Sequence, residues 1–409
     1  MSAAPSVYRR RDFVVFQLGR FLLTVAMQVQ SVAIGWQIYE MERTPLALGL
    51  VGLCQFAPMF LLTLPAGELA DRFDQRRVLG AALLMASICS LLFLGLSLAR
   101  VASAAAFYAV LILFGAGRGF SGPAGQSLLA FLVPPEKLAR SIALGSSVFT
   151  TAVIVGPALG GFLYVFGPVA TYSVCAACFL IAGVCTFTLG GRRRSGAVAN
   201  EATRLERVIK GVRFVRDRSV MFGAVSLDLF AVLLGGPAAL LPIFARDILH
   251  TGPMGLGLLR SAPALGAAAM ALWLLRKPLD RGSGSKMFAA VIVFGLATII
   301  FGLSRNFLLS LAALAVLGAS DMISVFVRSA LINSATPDEM RGRIGAVSSL
   351  FIGASNELGE FESGITAAWF GTIPAVVIGG LGTLCVAALW LRLFPPLRAV
   401  DRLSDVRVT

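Results

Sequence analysis

Gly67-Glu68-Leu69-Ala70-Asp71-Arg72-Phe73-Asp74-Gln75-Arg76-Arg77 packs charge into a short link between two long apolar runs. The run before it opens near Pro45 and the run after it continues to Leu98. Each is long enough, as a helix, to cross a hydrocarbon layer of about 30 Å. A link this short between two such runs reads as a membrane hairpin, and its clustered arginines place it on the cytoplasmic side.

Composition agrees with that reading. Of 409 residues, 57% are hydrophobic and only 14% are charged, more apolar surface than a soluble domain of this size buries. A net charge of +14 would suggest a nucleic-acid partner in a soluble chain. Here the basic residues gather in alternate loops, as membrane orientation demands, so no nucleic-acid partner is expected. Cys54, Cys89, Cys175, Cys178, Cys185 and Cys385 all fall inside apolar runs, which indicates neither a disulfide framework nor a metal site. The first apolar run, Phe13 to Tyr39, is too long for a cleavable signal peptide. No nucleotide-binding loop and no catalytic constellation is visible, so neither an enzyme nor a cofactor is expected.

Apolar runs bounded by charged or Gly/Pro-rich breaks predict twelve spans, beginning near Phe13, Pro45, Val78, Ala104, Leu138, Val169, Val220, Pro253, Met287, Phe307, Ile344 and Ile373. Arg43, Arg100, Arg246 and Arg305 fall on one side; Arg20, Arg118, Arg260 and Arg328 fall within spans. The rest of the 35 Lys and Arg fall on the opposite side, which puts both termini in the cytoplasm. The expected organisation is an N-terminal half over 1–190, a basic cytoplasmic linker over 191–219, a C-terminal half over 220–395 and a tail over 396–409. Within the linker Leu205, Val208, Ile209, Val212 and Val215 recur at helical spacing, the pattern of an amphipathic helix on the inner membrane face.

The two halves read as copies. A shift of 203 lays Gly115 on Gly318, Pro134 on Pro337, Glu136 on Glu339 and Arg140 on Arg343. A shift of 208 lays Pro45 on Pro253 and Gly49 on Gly257 and, after one inserted residue, Asp71-Arg72 on Asp280-Arg281. Beyond the loop after span ten the match fades, where Gly145 falls on Ser348, so this shift supports no repeat inside span eleven. The fold class is therefore an all-α membrane protein with twelve transmembrane helices in two pseudo-symmetric six-helix bundles, an architecture suited to a transporter that rocks one half against the other.

These residues resemble the major facilitator superfamily along essentially the whole chain. Gly67, Leu69, Asp71, Arg72, Arg76 and Arg77 are similar to its signature between helices two and three, with departures at Asp74 and Gln75. Arg118 followed by Gly122 resembles a second signature in helix four. Gly156-Pro157-Ala158-Leu159-Gly160-Gly161 resembles the second half of an element associated with proton-coupled antiporters, while Ala152 replaces a glycine of its first half. Gly19-Arg20-Phe21 and the run from Thr336-Pro337 to Gly342-Arg343-Ile344 are most similar to the enterobactin-exporter and drug-efflux branch. The resemblance implies that helices one, four, seven and ten line a central cavity.

Nine ionisable residues lie in the spans: Arg20, Arg118, Arg260, Arg328, Asp228, Asp321, Glu357, Glu360 and Glu362. Each costs about 2.5 to 3.5 kcal/mol on insertion scales and needs a partner, water or a role. The shifts turn Arg20 into Asp228 and Arg118 into Asp321, a charge reversal between the halves. Arg20, Arg118, Asp228 and Asp321 are candidates for substrate or proton binding, against structural pairing within each half. Glu357 and Glu360 share a face of span eleven and either carry a proton between them or pair with Arg260 or Arg328. Gly67, Asp71 and Arg72 form a candidate cytoplasmic gate, whereas Arg76 and Arg77 read as positive-inside anchors. Gln28, Gln30 and Gln37 read as hydrogen-bonding links between helices, with a substrate role as the alternative.

The leading expectation is a monomeric, proton-coupled exporter of small amphiphilic molecules, of the drug or siderophore class, in the cell inner membrane. The alternatives are an importer or facilitator of a small solute or metal chelate, and a membrane sensor that transports nothing.

Overall fold

The computed structural model describes residues 11–189 and 204–401, apart from residues 278, 280 and 337. Among these the chain is helical throughout, and eleven helical segments are long and apolar enough to cross a membrane. The spans run Arg11–Glu42, Pro45–Arg72, Gln75–Leu98, Ala104–Leu132, Pro135–Val165, Pro168–Phe187, Ser219–Ile248, Gly252–Arg276, Ser283–Leu303, Phe307–Ala335, Asp338–Phe370 and Thr372–Leu393. Span eleven falls outside the strictly apolar set, and it carries Glu357, Glu360 and Glu362 on neighbouring turns. Leu61, Leu275 and Leu308 are 71%, 80% and 73% exposed. Leucines so placed suit hydrocarbon as their solvent rather than water.

Local chemistry sets the span boundaries. Proline opens spans two, five and six, where its missing N–H costs no helical hydrogen bond. Asp74 caps span three, its carboxylate accepting from the Arg76 N–H at 3.0 Å. Gly167 turns span five into span six at φ 95° and ψ 166°. Gly371 makes the matching turn between spans eleven and twelve at φ 90° and ψ 159°, a conformation that a side chain would oppose.

Span seven is broken. Its helix ends at Gly235, passes through a 3₁₀ turn at Ala238–Leu240 and closes in a π turn at Phe244–Ile248. Thr298 donates to the Gly235 carbonyl at 3.2 Å and Ser363 to the Gly236 carbonyl at 3.1 Å. Neighbouring hydroxyls thus satisfy the backbone groups that the break would otherwise strand in an apolar medium.

The chain divides into two compact units. The first comprises Met1–Arg43, Cys54–Asn200 and Gly252–Ser261; the second comprises Thr44–Leu53, Glu201–Thr251 and Ala262–Thr409. The beginnings of spans two and eight therefore belong with the opposite half of the sequence. The first unit has an apolar core of Phe13, Phe16, Leu79, Leu83, Leu128 and Leu132, and the second one of Leu227, Met287, Phe288, Val291, Val327 and Leu331.

In the linker a helix forms at Arg204–Arg216, as the spacing predicts. Val215 is buried with Met221, Val225, Ile332 and Ile344 of the second unit, while Ile209 and Val212 are exposed. Residues 191–203 of the linker and 402–409 of the tail lie outside the described residues.

The repeat extends into span eleven, where the sequence match fades. A Cβ added at Gly161 would lie 2.5 Å from the Pro253 carbonyl oxygen and 3.1 Å from the Gly257 Cα. A Cβ added at Gly364 would lie 2.6 Å from the Gly49 Cα and 3.1 Å from the Pro45 carbonyl oxygen. The 208 shift carries Pro45 and Gly49 onto Pro253 and Gly257, and the 203 shift carries Gly161 onto Gly364. Side-chain divergence hides the match in the sequence, whereas the close helix approach preserves it. A second pair behaves alike: a Cβ at Gly115 would collide with the Gln55 carbonyl, and one at Gly318 with the Pro263 carbonyl.

Candidate functional site

The second unit holds a buried charge cluster. Asp228, on the unbroken part of span seven, pairs with Arg328 of span ten, and Ser324 donates to Asp228 Oδ1 at 3.1 Å. Asp228 is 4% and Arg328 3% exposed, so the pair is shielded from solvent on both sides. Asp321, two turns before Arg328 on the same helix, shares with Asp228, Ser320 and Ser324 a cavity of about 10 Å³, room for roughly one water. One guanidinium faces two carboxylates. With both ionised the cluster carries one net negative charge, and a single proton makes it neutral.

This arrangement revises one expected pairing. Arg328 spends its charge on Asp228 within the second unit rather than on Glu357 or Glu360. Arg260 donates from Nη1 to the Ser31 hydroxyl in the first unit, a bond that leaves its expected pairing with Glu357 or Glu360 untouched. Glu360 packs on the opening of span two, where a Cβ at Gly52 would lie 3.1 Å from both its Cβ and its Oε2. Glu362 accepts from the Thr366 hydroxyl at 2.7 Å. Glu357 lies one turn before Glu360 on span eleven.

The first unit is built differently. Arg118 donates to Gln55 Oε1 at 3.3 Å, linking span four to span two. Arg20 extends over Gly145 of span five, with Nη1 2.7 Å from where a Cβ would stand. Its guanidinium carbon lies 5.9 Å from the Phe16 ring centroid, a weak cation–π contact. Gln30 and Gln37 of span one serve as links. Ser90 donates to Gln30 at 2.5 Å, while Gln37 donates to Ser97 at 3.1 Å and accepts from Tyr172 at 2.8 Å. Gln28 packs on Gly156.

Within the antiporter-like element each small residue admits a neighbouring helix. Gly156 and Gly160 lie against Gln28 and Val29 of span one, and Gly161 lies against Pro253 and Gly257 of span eight. A Cβ at Gly257 would strike the Pro157 carbonyl. The element therefore holds span five in backbone contact with two helices at once.

In the opening hairpin, Gly67, Asp71 and Arg72 occupy the last turns of span two, and their side-chain surroundings lie outside the described residues. Asp280 lies outside them as well. Arg76 is more than the anchor expected of it. Its Nε and Nη2 donate to the two Asp74 carboxylate oxygens at 3.1 and 2.7 Å, and its Nη1 donates to the Leu189 carbonyl at 2.6 Å. The side-chain hydrogen bond from Arg76 holds the Asp74 carboxyl below its ordinary range. The hairpin is thereby tied to the end of span six. Beside it Leu69, Phe73, Arg77, Val78, Met85 and Phe120 line a mainly apolar cleft of about 540 Å³, apart from the intramembrane charges.

The sequence places Asp228, Asp321, Arg20 and Arg118 within spans but does not disclose the pairing of Asp228 with Arg328 or the part played by Ser324. The signal was present, since Ser324 and Arg328 sit one turn apart on span ten. Among the described residues no group of three His, Cys, Asp or Glu is placed to hold a metal ion.

Residues 3–407 match the model of a family described as transmembrane secretion effectors. The chain is 26% identical over 386 residues to the enterobactin exporter EntS of Citrobacter koseri, covering 93% of this chain and 91% of that protein. It is 25% identical, with the same coverage, to EntS of Escherichia coli O1:K1. Among solved structures, a bacterial homologue of the human lysosomal transporter Spinster, inward-facing and occupied, superposes with a TM-score of 0.75 at 14% identity, over 97% of this chain and 100% of that one. A POT family transporter in complex with 5-aminolevulinic acid gives 0.76 at 12% identity, over 95% and 96%.

Proposed function

Because the chain belongs to the transmembrane secretion effector family of the major facilitator superfamily, and is thus a multi-pass membrane transporter and not an enzyme, we propose that it exports small amphiphilic organic molecules in exchange for protons. The observation that carries export is the similarity to enterobactin exporters, which extends over nearly the full length of both chains. The substrate is of the siderophore or drug class. The transporter works as a monomer in the inner membrane with both termini in the cytoplasm.

Two features support proton exchange. The Asp228, Arg328 and Asp321 cluster changes between one negative charge and none on taking up a single proton. Glu357 and Glu360 add carboxylates on span eleven, next to the opening of span two. In this reading Asp321 carries the proton, Asp228 and Arg328 hold its surroundings fixed, and Arg20 and Arg118 meet the substrate. Gly156, Pro157, Gly160 and Gly161 keep spans five, one and eight in register, while Gly67, Asp71 and Arg72 gate the cytoplasmic side.

Direction of transport is tested in cells. A strain lacking the gene is compared with one overexpressing it, by measuring siderophore in the medium and retention of amphiphilic dyes. Export predicts more siderophore outside or less dye retained on overexpression. Substrate accumulating inside the overexpressing strain would reverse the assignment.

A further inference from the structure

The charge reversal between the halves is not matched by a reversal of partners. In the second unit Arg328 neutralises Asp228. The first-half counterparts of Asp228 and Arg328 are Arg20 and Gly125, so where an acidic partner for Arg20 would be needed there is a residue with no side chain. A Cβ added at Gly125 would meet no described atom within 4 Å. Two buried polar side chains, on spans one and five, have no hydrogen-bond partner among the described residues. The Gln17 amide, one turn before Arg20, is 8% exposed, and neither its nitrogen nor its oxygen is hydrogen-bonded. Ser141, one turn before Gly145 on span five, is fully buried with an unbonded hydroxyl. Both the Arg20 Nη1 and the Gln17 Nε2 converge on Gly145, at 2.7 and 3.4 Å from the position of an absent Cβ.

Buried polar atoms without partners are rare because each forfeits its hydration. Here three such atoms lie in Gln17, beside the half-buried Arg20 guanidinium, and in Ser141, one turn from the Gly145 that Arg20 and Gln17 both approach, and among the described residues no carboxylate pairs with that guanidinium. The Arg20 guanidinium, the Gln17 amide N–H and the Ser141 hydroxyl are donors, and together they suit one chemical group, an oxyanion. A neutral or cationic group would leave the arginine as poorly compensated as before.

We propose that Arg20, Gln17 and Ser141 form the docking site for a carboxylate or comparable oxyanion of the transported molecule, with Gly145 leaving room for the arginine. This rests on the transport reading above and adds to it a class of substrate: amphiphiles bearing an anionic oxygen group. Arg20 binds the anion, Gln17 and Ser141 orient it, and Gly145 is a positioning residue.

The test is equilibrium binding to the purified full-length chain in neutral detergent, with fluorescent 1-pyrenebutyrate as the anionic probe and 1-pyrenebutanol as the neutral one. Wild type should bind the carboxylate at least roughly tenfold more tightly than the alcohol, the scale of a charge-assisted hydrogen bond. Arg20→Gln should erase the preference, bringing carboxylate and alcohol to the same affinity. Arg20→Lys should keep part of it, which separates loss of charge from loss of fold. Gly145→Val should weaken carboxylate binding by displacing the guanidinium. Equal affinities in wild type, or a preference that survives Arg20→Gln, would overturn the proposal. So would displacement of pyrenebutyrate by phosphatidylglycerol at amounts where phosphatidylcholine has no effect, since the oxyanion would then be a lipid phosphate. Binding needs no flux: a carboxylate preference without transport of any probe would refute the exporter reading and leave the site standing.

Discussion

Gly257 of span eight lies against Gly161 of span five so closely that a Cβ on either would press into the other's backbone. The same contact recurs between Gly49 and Gly364, related by the internal repeat. Two such contacts join parts that are far apart in the chain, and both depend on the absence of side chains.

Gly161→Val and Gly364→Val should therefore impair transport alike, each by at least about tenfold, because the new side chain meets backbone that must move. Gly95→Val, where nothing lies within 4 Å, should transport as wild type does. Efflux rates of the three variants at equal expression check this; a normal rate for Gly364→Val would break the proposed equivalence.

Asp228→Leu should destabilise the protein strongly, by about 3 to 5 kcal/mol, because it strands the Arg328 guanidinium in a buried site. Asp228→Leu combined with Arg328→Leu should recover most of the loss, since the two desolvation costs disappear together. Thermal melting in detergent across the four members of the cycle measures the coupling. Strictly additive losses would mean the pair does not act as one.

Asp74→Asn should cost about 1 kcal/mol or less, because asparagine still caps span three but no longer anchors Arg76 in an ion pair. The sign of the pH effect follows from the lowered carboxyl. Its contribution is fully present above the ordinary carboxylate range and is lost as pH falls through the depressed native value. The difference in melting temperature between wild type and Asp74→Asn should therefore shrink only in acid. A difference that instead grows toward low pH would contradict the Arg76 clamp.

The sequence discloses the span count, the repeat around spans two, four, eight and ten, and the charge reversal at Arg20 and Asp228, because hydropathy and position report those directly. It hides what depends on helix rotation. Arg328 could face Glu357, Glu360 or Asp228 by sequence distance alone, and packing chose Asp228. Gly364 was invisible as the partner of Gly161 because Glu360 stands where Pro157 would be expected and masks the match. The break after Gly235 was signalled by Gly236-Pro237, but an apolar run reads as continuous until its backbone partners, Thr298 and Ser363, are located.

The central claim is proton-driven export, and its most direct measurement is substrate flux in everted membrane vesicles under an imposed proton gradient, comparing wild type with Asp321→Asn. The account predicts uptake into the vesicles that stops when the gradient is collapsed, and an Asp321→Asn protein that binds substrate yet shows no gradient-driven flux. Flux that continues unchanged after collapse, or that persists undiminished in Asp321→Asn, would contradict it.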